Sequence, residues 1–325
     1  MADAKWCAKD SDRRESCPAC YKRTVNHKEF ASSLRGVFGF PVTPFQKDLS
    51  LDLKGLARNV DEMAGHPFCA MVAAGGTGEL YSLSIDEIEA VVRTTVEAVK
   101  GRMPVVAGTG FNVAMGVEIA KRVEKAGASS ILVLPPYYSH SPFEGVVEFY
   151  EAIGKATALP LMIYSRDWAA FTPQQVSRIA DRVPSLVCWK DGQGDVRKYQ
   201  RIMNHLGDRL AWIGGLGDDC IPGYFAIGVQ AYTSSISNVA PKLSLELAKA
   251  GVARDFGTLD KLMAKYVQPL YAIRERHRGY EVSVMKEMME MLGMPAGPVR
   301  PPLENVRHQD IADIRALVEV YRDVL

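Results

Sequence analysis

The residue whose type and position most clearly suit catalysis is Lys190. It ends the apolar run 186–190 directly before the glycine-rich segment 191–194. An apolar run bounded by glycines is typical of a strand buried on both faces, so Lys190 is predicted to leave that strand beside a loop. Burial disfavours the charged form of a lysine and lowers its pKa from about 10.4. A neutral amine can attack a ketone and form a Schiff base. The alternative is an exposed lysine that merely ends a strand.

Other polar groups follow other short apolar runs. The turn Gly75-Gly76-Thr77-Gly78 can direct backbone N–H groups and the Thr77 hydroxyl at a small anion such as a carboxylate. Tyr164 ends a further run, and Arg166 follows two residues later. Together these groups suit an α-keto acid: Lys190 would condense with the ketone, Tyr164 would shuttle protons, and the Gly76–Thr77 turn would hold the carboxylate. Each of these groups has a plainer interpretation. The glycine turn could be only a tight connection, Tyr164 a core residue and Arg166 a solvated loop charge.

The elements that position these residues alternate regularly along the chain. Eight short apolar runs are predicted to be strands, at 37–42, 69–74, 104–108, 130–134, 160–164, 186–190, 210–214 and 229–233. Amphipathic helices are predicted near 53–65, 84–100, 113–127, 142–157, 173–182, 196–206, 219–227 and 240–250. Eight such repeats favour a (β/α)8 TIM barrel, in which catalytic groups gather at the carboxyl ends of the strands.

The rival fold is a doubly wound sheet, which would show a G-x-G-x-x-G turn after its first strand. Here the glycines at 36 and 39 precede or lie within that strand, so the barrel is favoured. After residue 252 the alternation stops, and helices are predicted near 253–276, 281–292 and 308–325. The expected organisation is therefore a poorly packed N-terminal extension (1–35), a barrel (36–252) and a C-terminal helical extension (253–325).

The composition favours a site for a small molecule over one for nucleic acid or a membrane. The chain has 325 residues, of which 47% are hydrophobic and 24% charged, and its net charge is +1. This charge provides no field that would attract nucleic acid or an anionic membrane, and no apolar run approaches the ~20 residues of a membrane helix. The charged N-terminus lacks the apolar core of a secretory signal, so a cytoplasmic location is expected.

Six cysteines stand at 7, 17, 20, 69, 188 and 220, and the last three lie in or beside apolar segments, as small core residues do. Cys7, Cys17 and Cys20 with His27 form a weak candidate metal cluster, because Cys17 and Cys20 have the C-x-x-C spacing of half a zinc site. The alternative is an unpacked extension without metal, and we predict no metal and no cofactor.

The succession of strand ends resembles the dihydrodipicolinate synthase / N-acetylneuraminate lyase family of Schiff-base lyases. The resemblance covers nearly all of residues 36–303 and is carried by GGTGE (75–79), LPPYY (134–138), Tyr164, Lys190 and GVQAYTSSISNVAP (228–241). It implies a TIM barrel, a Schiff base on Lys190, proton transfer by Tyr164 and substrate contacts from Gly76, Thr77, Arg166 and Ser234. It also implies at least a dimer, with a tetramer expected, because Tyr138 matches a tyrosine that reaches into a neighbouring subunit's site in this family.

Three local features resemble the sugar-acid dehydratase branch of that family: the Gly75-Gly76-Thr77 turn, the Tyr164-Ser165-Arg166 segment and the glycine-rich segment after Lys190. The expected function is therefore a lyase that removes water and CO2 from a sugar-derived 2-keto acid. Segments 217–220 and 232–239 depart from that branch, so an aldolase or a dihydrodipicolinate synthase-like condensing enzyme is the alternative. A non-catalytic binding protein would be expected to lose Lys190 or Tyr164, and both are present. A metal-dependent barrel hydrolase would need histidines at strand ends, and this sequence has no His-x-His on a predicted strand.

Overall fold

A computed structural model describes residues 27–325 and forms a closed barrel of eight parallel strands, which confirms the predicted (β/α)8 fold. The strands are β1 (Gly36–Gly39), β2 (Ala70–Ala73), β3 (Val105–Phe111), β4 (Ser130–Pro136), β5 (Leu161–Arg166), β6 (Leu186–Gly192), β7 (Ala211–Gly214) and β8 (Ala231–Ser234). Each pairs with its sequence neighbour, and β1 pairs with β8 to close the barrel.

One helix follows each strand on the outside of the barrel. These helices are α2 (Leu53–Met63), α3 (Ile85–Val99), α4 (Val113–Lys125), α5 (Phe143–Lys155), α6 (Pro173–Arg182), α7 (Val196–Leu206), α8 (Ile221–Ala226) and α9 (Pro241–Val252). Ser84 and Thr172 form capping boxes with Glu87 and Gln175, which satisfy amide groups at the starts of α3 and α6. The sequence therefore fixes where these helices begin.

Side chains alternate along the strands between two hydrophobic layers. Val37, Met71 and Ile163 belong to the layer between strands and helices, whereas Phe38, Val72 and Met162 belong to the layer inside the barrel. This alternation is the period of two that an extended chain imposes. It decides which residues at the strand ends can face a substrate at the barrel mouth.

The described part of the N-terminal segment packs more tightly than predicted. Helix α1 (His27–Ser33) precedes β1, and Phe30 and Leu34 are buried with the side chains inside the barrel. These two apolar residues close the N-terminal opening of the barrel, so residues 27–35 are not a poorly packed extension. Residues 1–26 lie outside the described residues.

The C-terminal segment forms the predicted helical extension. It contains α10 (Phe256–Leu262), α11 (Gln268–Arg274), α12 (Tyr280–Met291) and α13 (Ile311–Tyr321), with a π-helical turn at Met263–Val267 between α10 and α11. Helices α12 and α13 pack against each other, and α12 also contacts the segment after β8. The extension therefore reaches the carboxyl ends of the barrel strands. No helix among residues 27–325 is both long and apolar enough to span a membrane.

Candidate active site

Lys190 and Tyr164 lie side by side at the barrel mouth. They are direct partners in the register of β5 and β6, and both side chains point into the barrel. The Lys190 Nζ atom lies 3.1 Å from the centre of the Tyr164 ring, and Lys190 is only 3% exposed. Lys190 Nζ and the Tyr164 hydroxyl both donate to the carbonyl oxygen of Gly215, at 2.8 and 2.9 Å. One backbone oxygen thus orients both groups.

The surroundings of Lys190 favour the neutral amine. Burial lowers the pKa of Lys190 well below its ordinary value, the positive charge of Arg166 lowers it further, and the negative charge of Asp191 opposes this shift. Phe40 contributes to the apolar surroundings, with its ring centre 5.4 Å from Lys190 Nζ. A neutral amine beside a phenol is the pair that nucleophilic attack on a ketone requires.

The surroundings of Tyr164 favour its protonated form, whereas those of Lys190 favour the deprotonated amine. Burial raises the pKa of its phenol to about 12, with a smaller opposing contribution from Arg166. The phenol is therefore protonated near neutral pH, as a proton donor must be. Its predicted role as a shuttle begins with donation, and the phenolate that remains can then accept a proton.

The Gly76–Thr77 turn connects β2 to α3 and carries unpaired donors. Within residues 27–325, the amide groups of Gly76 and Thr77 and the Thr77 hydroxyl donate no hydrogen bond to another protein group. A side chain on Gly76 would meet Arg166, whose Nη1 atom lies 3.6 Å from the Cβ position. The Arg166 Nε atom is engaged by Asp167 at 2.7 Å, which leaves the other edge of the guanidinium for an anion. The turn and Arg166 thus lie together at one corner, where their donors are available for an anion.

A buried ion pair fixes the residue that follows this turn. Glu79 is fully buried with a left-handed backbone (φ 55°), and its Oε1 lies 2.6 Å from the Nζ of Lys286 in α12. Its Oε2 accepts from the Arg300 amide at 3.0 Å, and Lys286 also donates to the Pro298 carbonyl at 2.9 Å. The C-terminal extension therefore holds the anion turn in place.

Ser234 does not lie where the sequence analysis placed it. It is fully buried, and its hydroxyl donates to Asp218 Oδ1 at 2.5 Å and lies 2.8 Å from the Ser244 hydroxyl of α9. In β8, Ala231 faces the barrel interior and Tyr232 the helices, so Thr233 faces inward and Ser234 outward. The prediction that Ser234 contacts substrate is therefore corrected, and Thr233 is the residue of β8 that faces the mouth.

Tyr138 is 62% exposed and lies on the segment after β4. It borders a cavity of about 590 Å³ that is lined mainly by apolar groups, including Tyr81, Phe111, Met115 and Tyr137. An aromatic residue that is exposed beside an apolar cavity is typical of a protein interface. Its predicted reach into a neighbouring subunit remains a prediction.

The candidate metal cluster falls largely outside the described residues, because Cys7, Cys17 and Cys20 precede residue 27. His27 lies 3.4 Å from the Ala158 carbonyl through Nε2. Within residues 27–325, no group of three or more His, Cys, Asp or Glu side chains could hold a metal ion.

The group that the sequence analysis missed is the Gly215 carbonyl. The Gly-Gly turn after β7 was recognisable, but a backbone oxygen leaves no side-chain signal. The close packing gives the reason for glycine at this position: a Cβ on Gly215 would lie 2.4 Å from Lys190 Cγ.

The closed eight-stranded barrel, with a buried lysine and a buried tyrosine at its mouth, defines the class of this chain as a TIM-barrel enzyme. The chain matches the dihydrodipicolinate synthetase family over residues 33–320, and it belongs to that family. A protein of Bradyrhizobium diazoefficiens named "probable 5-dehydro-4-deoxyglucarate dehydratase" is 41% identical over 87% of this chain and 91% of its own length. A protein of Xanthomonas campestris with the same name is 39% identical over 89% and 96%.

The solved structures agree with this assignment. Dihydrodipicolinate synthase from Oceanobacillus iheyensis superposes with a TM-score of 0.86 at 28% identity, and the match covers 92% of this chain and all of that one. The predicted family and barrel are confirmed.

Proposed function

We propose that the chain is a Schiff-base lyase that converts 5-dehydro-4-deoxyglucarate to 2,5-dioxopentanoate, with loss of one water and one CO2. The observation that carries the proposal is the buried Lys190 amine, which shares the Gly215 carbonyl with the Tyr164 phenol. The dehydratase names of relatives at about 40% identity support the choice of reaction. This reaction is also the one that the local motifs predicted.

The proposed reaction begins with attack of the neutral Lys190 amine on the ketone carbon. The Tyr164 phenol donates a proton to the departing oxygen, which leaves as water and gives an iminium. The iminium withdraws electrons from the neighbouring carbon, whose proton passes to the Tyr164 phenolate. The electron pair of that C–H bond then expels the β-hydroxyl, which takes the proton back from Tyr164 and leaves as the second water.

Decarboxylation and hydrolysis complete the cycle. After dehydration, the hydrogen on the remaining hydroxyl-bearing carbon moves to the carbon attached to the lysine nitrogen and the hydroxyl proton is released, which gives a ketone conjugated with a C=C bond. The C–C bond to the carboxylate on the nitrogen-bearing carbon then breaks, CO2 leaves, and its electron pair moves through the C=C bond into that ketone. Protonation follows, and water then releases the aldehyde from Lys190. One water is released on imine formation and one is taken up on hydrolysis, so the net loss is one water and one CO2.

The carboxylate beside the ketone is proposed to bind at the corner formed by the Gly76–Thr77 turn and Arg166. Two positions after Tyr164 in the sequence, Arg166 is the candidate for the distal carboxylate, with the proximal carboxylate as the alternative. The 3.6 Å separation of Arg166 Nη1 from the Gly76 Cβ position favours the alternative. A guanidinium edge and backbone amides can hold the same carboxylate by parallel hydrogen bonds.

We also propose a homo-oligomer in which the segment around Tyr138 packs against a second copy, as the exposed tyrosine and the apolar cavity beside it favour. The cytoplasmic location and the absence of a cofactor remain predictions of the sequence analysis.

The test is to incubate the purified chain with 5-dehydro-4-deoxyglucarate and to follow CO2 release and 2,5-dioxopentanoate together. We expect both products in equal amounts. Carbon–carbon cleavage to pyruvate or another keto acid without CO2 would instead assign the aldolase alternative. Lys190→Met is the matched control, because it keeps the side-chain length but cannot form an imine.

A further inference from the structure

The Tyr224 hydroxyl joins the carboxyl end of β6 to the loop after β7, beside the Lys190 amine. This buried tyrosine of α8 donates to Asp191 Oδ2 at 2.7 Å near the end of β6. It also accepts from the Leu216 amide at 3.3 Å in the loop after β7. Asp191 Oδ2 accepts in turn from the Gly194 amide at 3.0 Å. One phenol oxygen therefore connects both segments.

The loop that Tyr224 holds carries the oxygen that orients the reacting groups. Gly215 lies directly before Leu216, and its carbonyl accepts from Lys190 Nζ and from the Tyr164 hydroxyl. The Gly-Gly turn is confined on both sides, because a Cβ on Gly214 would lie 2.4 Å from the Tyr224 ring and one on Gly215 2.4 Å from Lys190 Cγ. A displacement of this turn would move the acceptor shared by the amine and the phenol.

We infer that Tyr224 is a positioning residue for imine formation, which acts through Asp191 and the Leu216 amide on the Gly215 carbonyl. The inference rests on the proposed Schiff-base function. Without the phenol oxygen, the buried Asp191 carboxylate loses a donor and the Leu216 amide loses its acceptor, so both groups must find other partners. The ring would still support the Gly-Gly turn, but the carbonyl would no longer be held at one position.

The chain offers a matched control in Tyr199 of α7. Its hydroxyl links the same two strands one layer deeper: it donates to the Trp189 carbonyl at 3.0 Å and accepts from the Ile213 amide at 3.0 Å. The rings of Tyr199 and Tyr224 also pack edge to face, with centroids 6.1 Å apart. Tyr199→Phe therefore removes an equivalent buried hydroxyl between β6 and β7 without touching the Gly215 loop.

The experiment compares Tyr224→Phe and Tyr199→Phe with the unmodified chain in single-turnover borohydride trapping of the 5-dehydro-4-deoxyglucarate adduct. We expect both variants to lose thermal stability. We expect Tyr224→Phe alone to slow trapping, by roughly 10- to 100-fold, as small misplacements of reacting groups do. Its KM should stay within about twofold, because the anion-binding corner is not altered. Amide exchange at residues 214–217 should accelerate in Tyr224→Phe and not in Tyr199→Phe.

Two results overturn the inference. Trapping by Tyr224→Phe at the unmodified rate would show that the carbonyl needs no such support, and equal slowing by both variants would show a general loosening of β6 and β7. If the unmodified chain turns the substrate over but is not trapped, the proposed Schiff base is wrong. The inference about Tyr224, which rests on it, is then wrong as well. Normal trapping of the unmodified chain with either of the first two results leaves the proposed function intact. The exchange measurement gives an independent answer even where Tyr224→Phe is too unstable for kinetics.

Discussion

Replacing Lys286 by methionine tests whether the C-terminal extension holds the anion turn. Lys286 is 2% exposed and Glu79 is fully buried, with 2.6 Å between Nζ and Oε1. Burial lowers the pKa of Lys286 to about 8, whereas the Glu79 charge opposes this shift, so the lysine depends on its partner to stay charged. Lys286→Met leaves the Glu79 carboxylate buried with the Arg300 amide as its remaining partner.

The expected cost follows from this burial. Breaking a buried ion pair by removing one partner typically costs about 3–5 kcal/mol, because the remaining charge is left uncompensated. The left-handed backbone of Glu79 adds roughly 1–2 kcal/mol of strain that the pair helps to hold, and its release should move the Gly76–Thr77 turn. We therefore expect a large loss in the free energy of unfolding and a raised KM for the keto acid.

The assay is urea unfolding together with steady-state kinetics on Lys286→Met and on Lys265→Met. Lys265 pairs with Asp323 at 2.8 Å in the same extension, but both side chains are more than half exposed (51% and 61%), so its loss should change the stability little. The double variant Lys286→Met/Glu79→Gln should recover part of the stability, because the lone charge is removed. Equal stability of the two single variants would refute the energetic reasoning. A large stability loss with an unchanged KM would refute the connection to the turn.

Further predictions concern Arg166, the pH profile and assembly. Arg166→Ala removes a charge-assisted carboxylate contact of about 1.5–3 kcal/mol, so kcat/KM should fall roughly 10- to 150-fold, and equally on the dicarboxylate and on an analogue without the distal carboxylate. A loss confined to the dicarboxylate would show instead that Arg166 binds the distal carboxylate. Because burial, and then the charge of Arg166, lowers the pKa of Lys190, the neutral amine is lost as the pH falls through that lowered value. The acid limb of kcat/KM should therefore move to higher pH in Arg166→Gln, and a limb that stays or moves to lower pH would contradict this coupling. In sedimentation velocity the chain should exceed the 35.8 kDa of a monomer, and Tyr138→Ala should weaken the assembly. A fully active monomer would count against the proposed interface.

Much of the fold was predictable because its signals are local. Each apolar run of the barrel is short and is followed by a helix, and several of these helices have their own start signals, such as the capping boxes at Ser84 and Thr172. Eight repeats leave few alternatives to a barrel. Lys190 and Tyr164 were predictable for the same reason, since each ends an apolar run and the strand ends of a barrel share one mouth.

The features that could not be predicted depend on register or on distant contacts. Ser234 and Thr233 differ by one position in β8, and that single step decides which of them faces the mouth. Glu79 and Lys286 are more than two hundred positions apart in the sequence, and no local pattern connects them. The Gly215 carbonyl is a backbone group, so its function is visible only once Lys190 and Tyr164 are placed around it.

The central claim is that Lys190 forms the covalent intermediate. The most direct measurement is to add borohydride during turnover of 5-dehydro-4-deoxyglucarate, digest the protein and locate the added mass by peptide mass spectrometry. The mass of the reduced adduct should lie on the peptide that contains Lys190. It should be absent from Lys190→Arg, because a guanidinium stays protonated and cannot form the imine. Labelling of another lysine, or turnover without labelling of Lys190, would contradict the account.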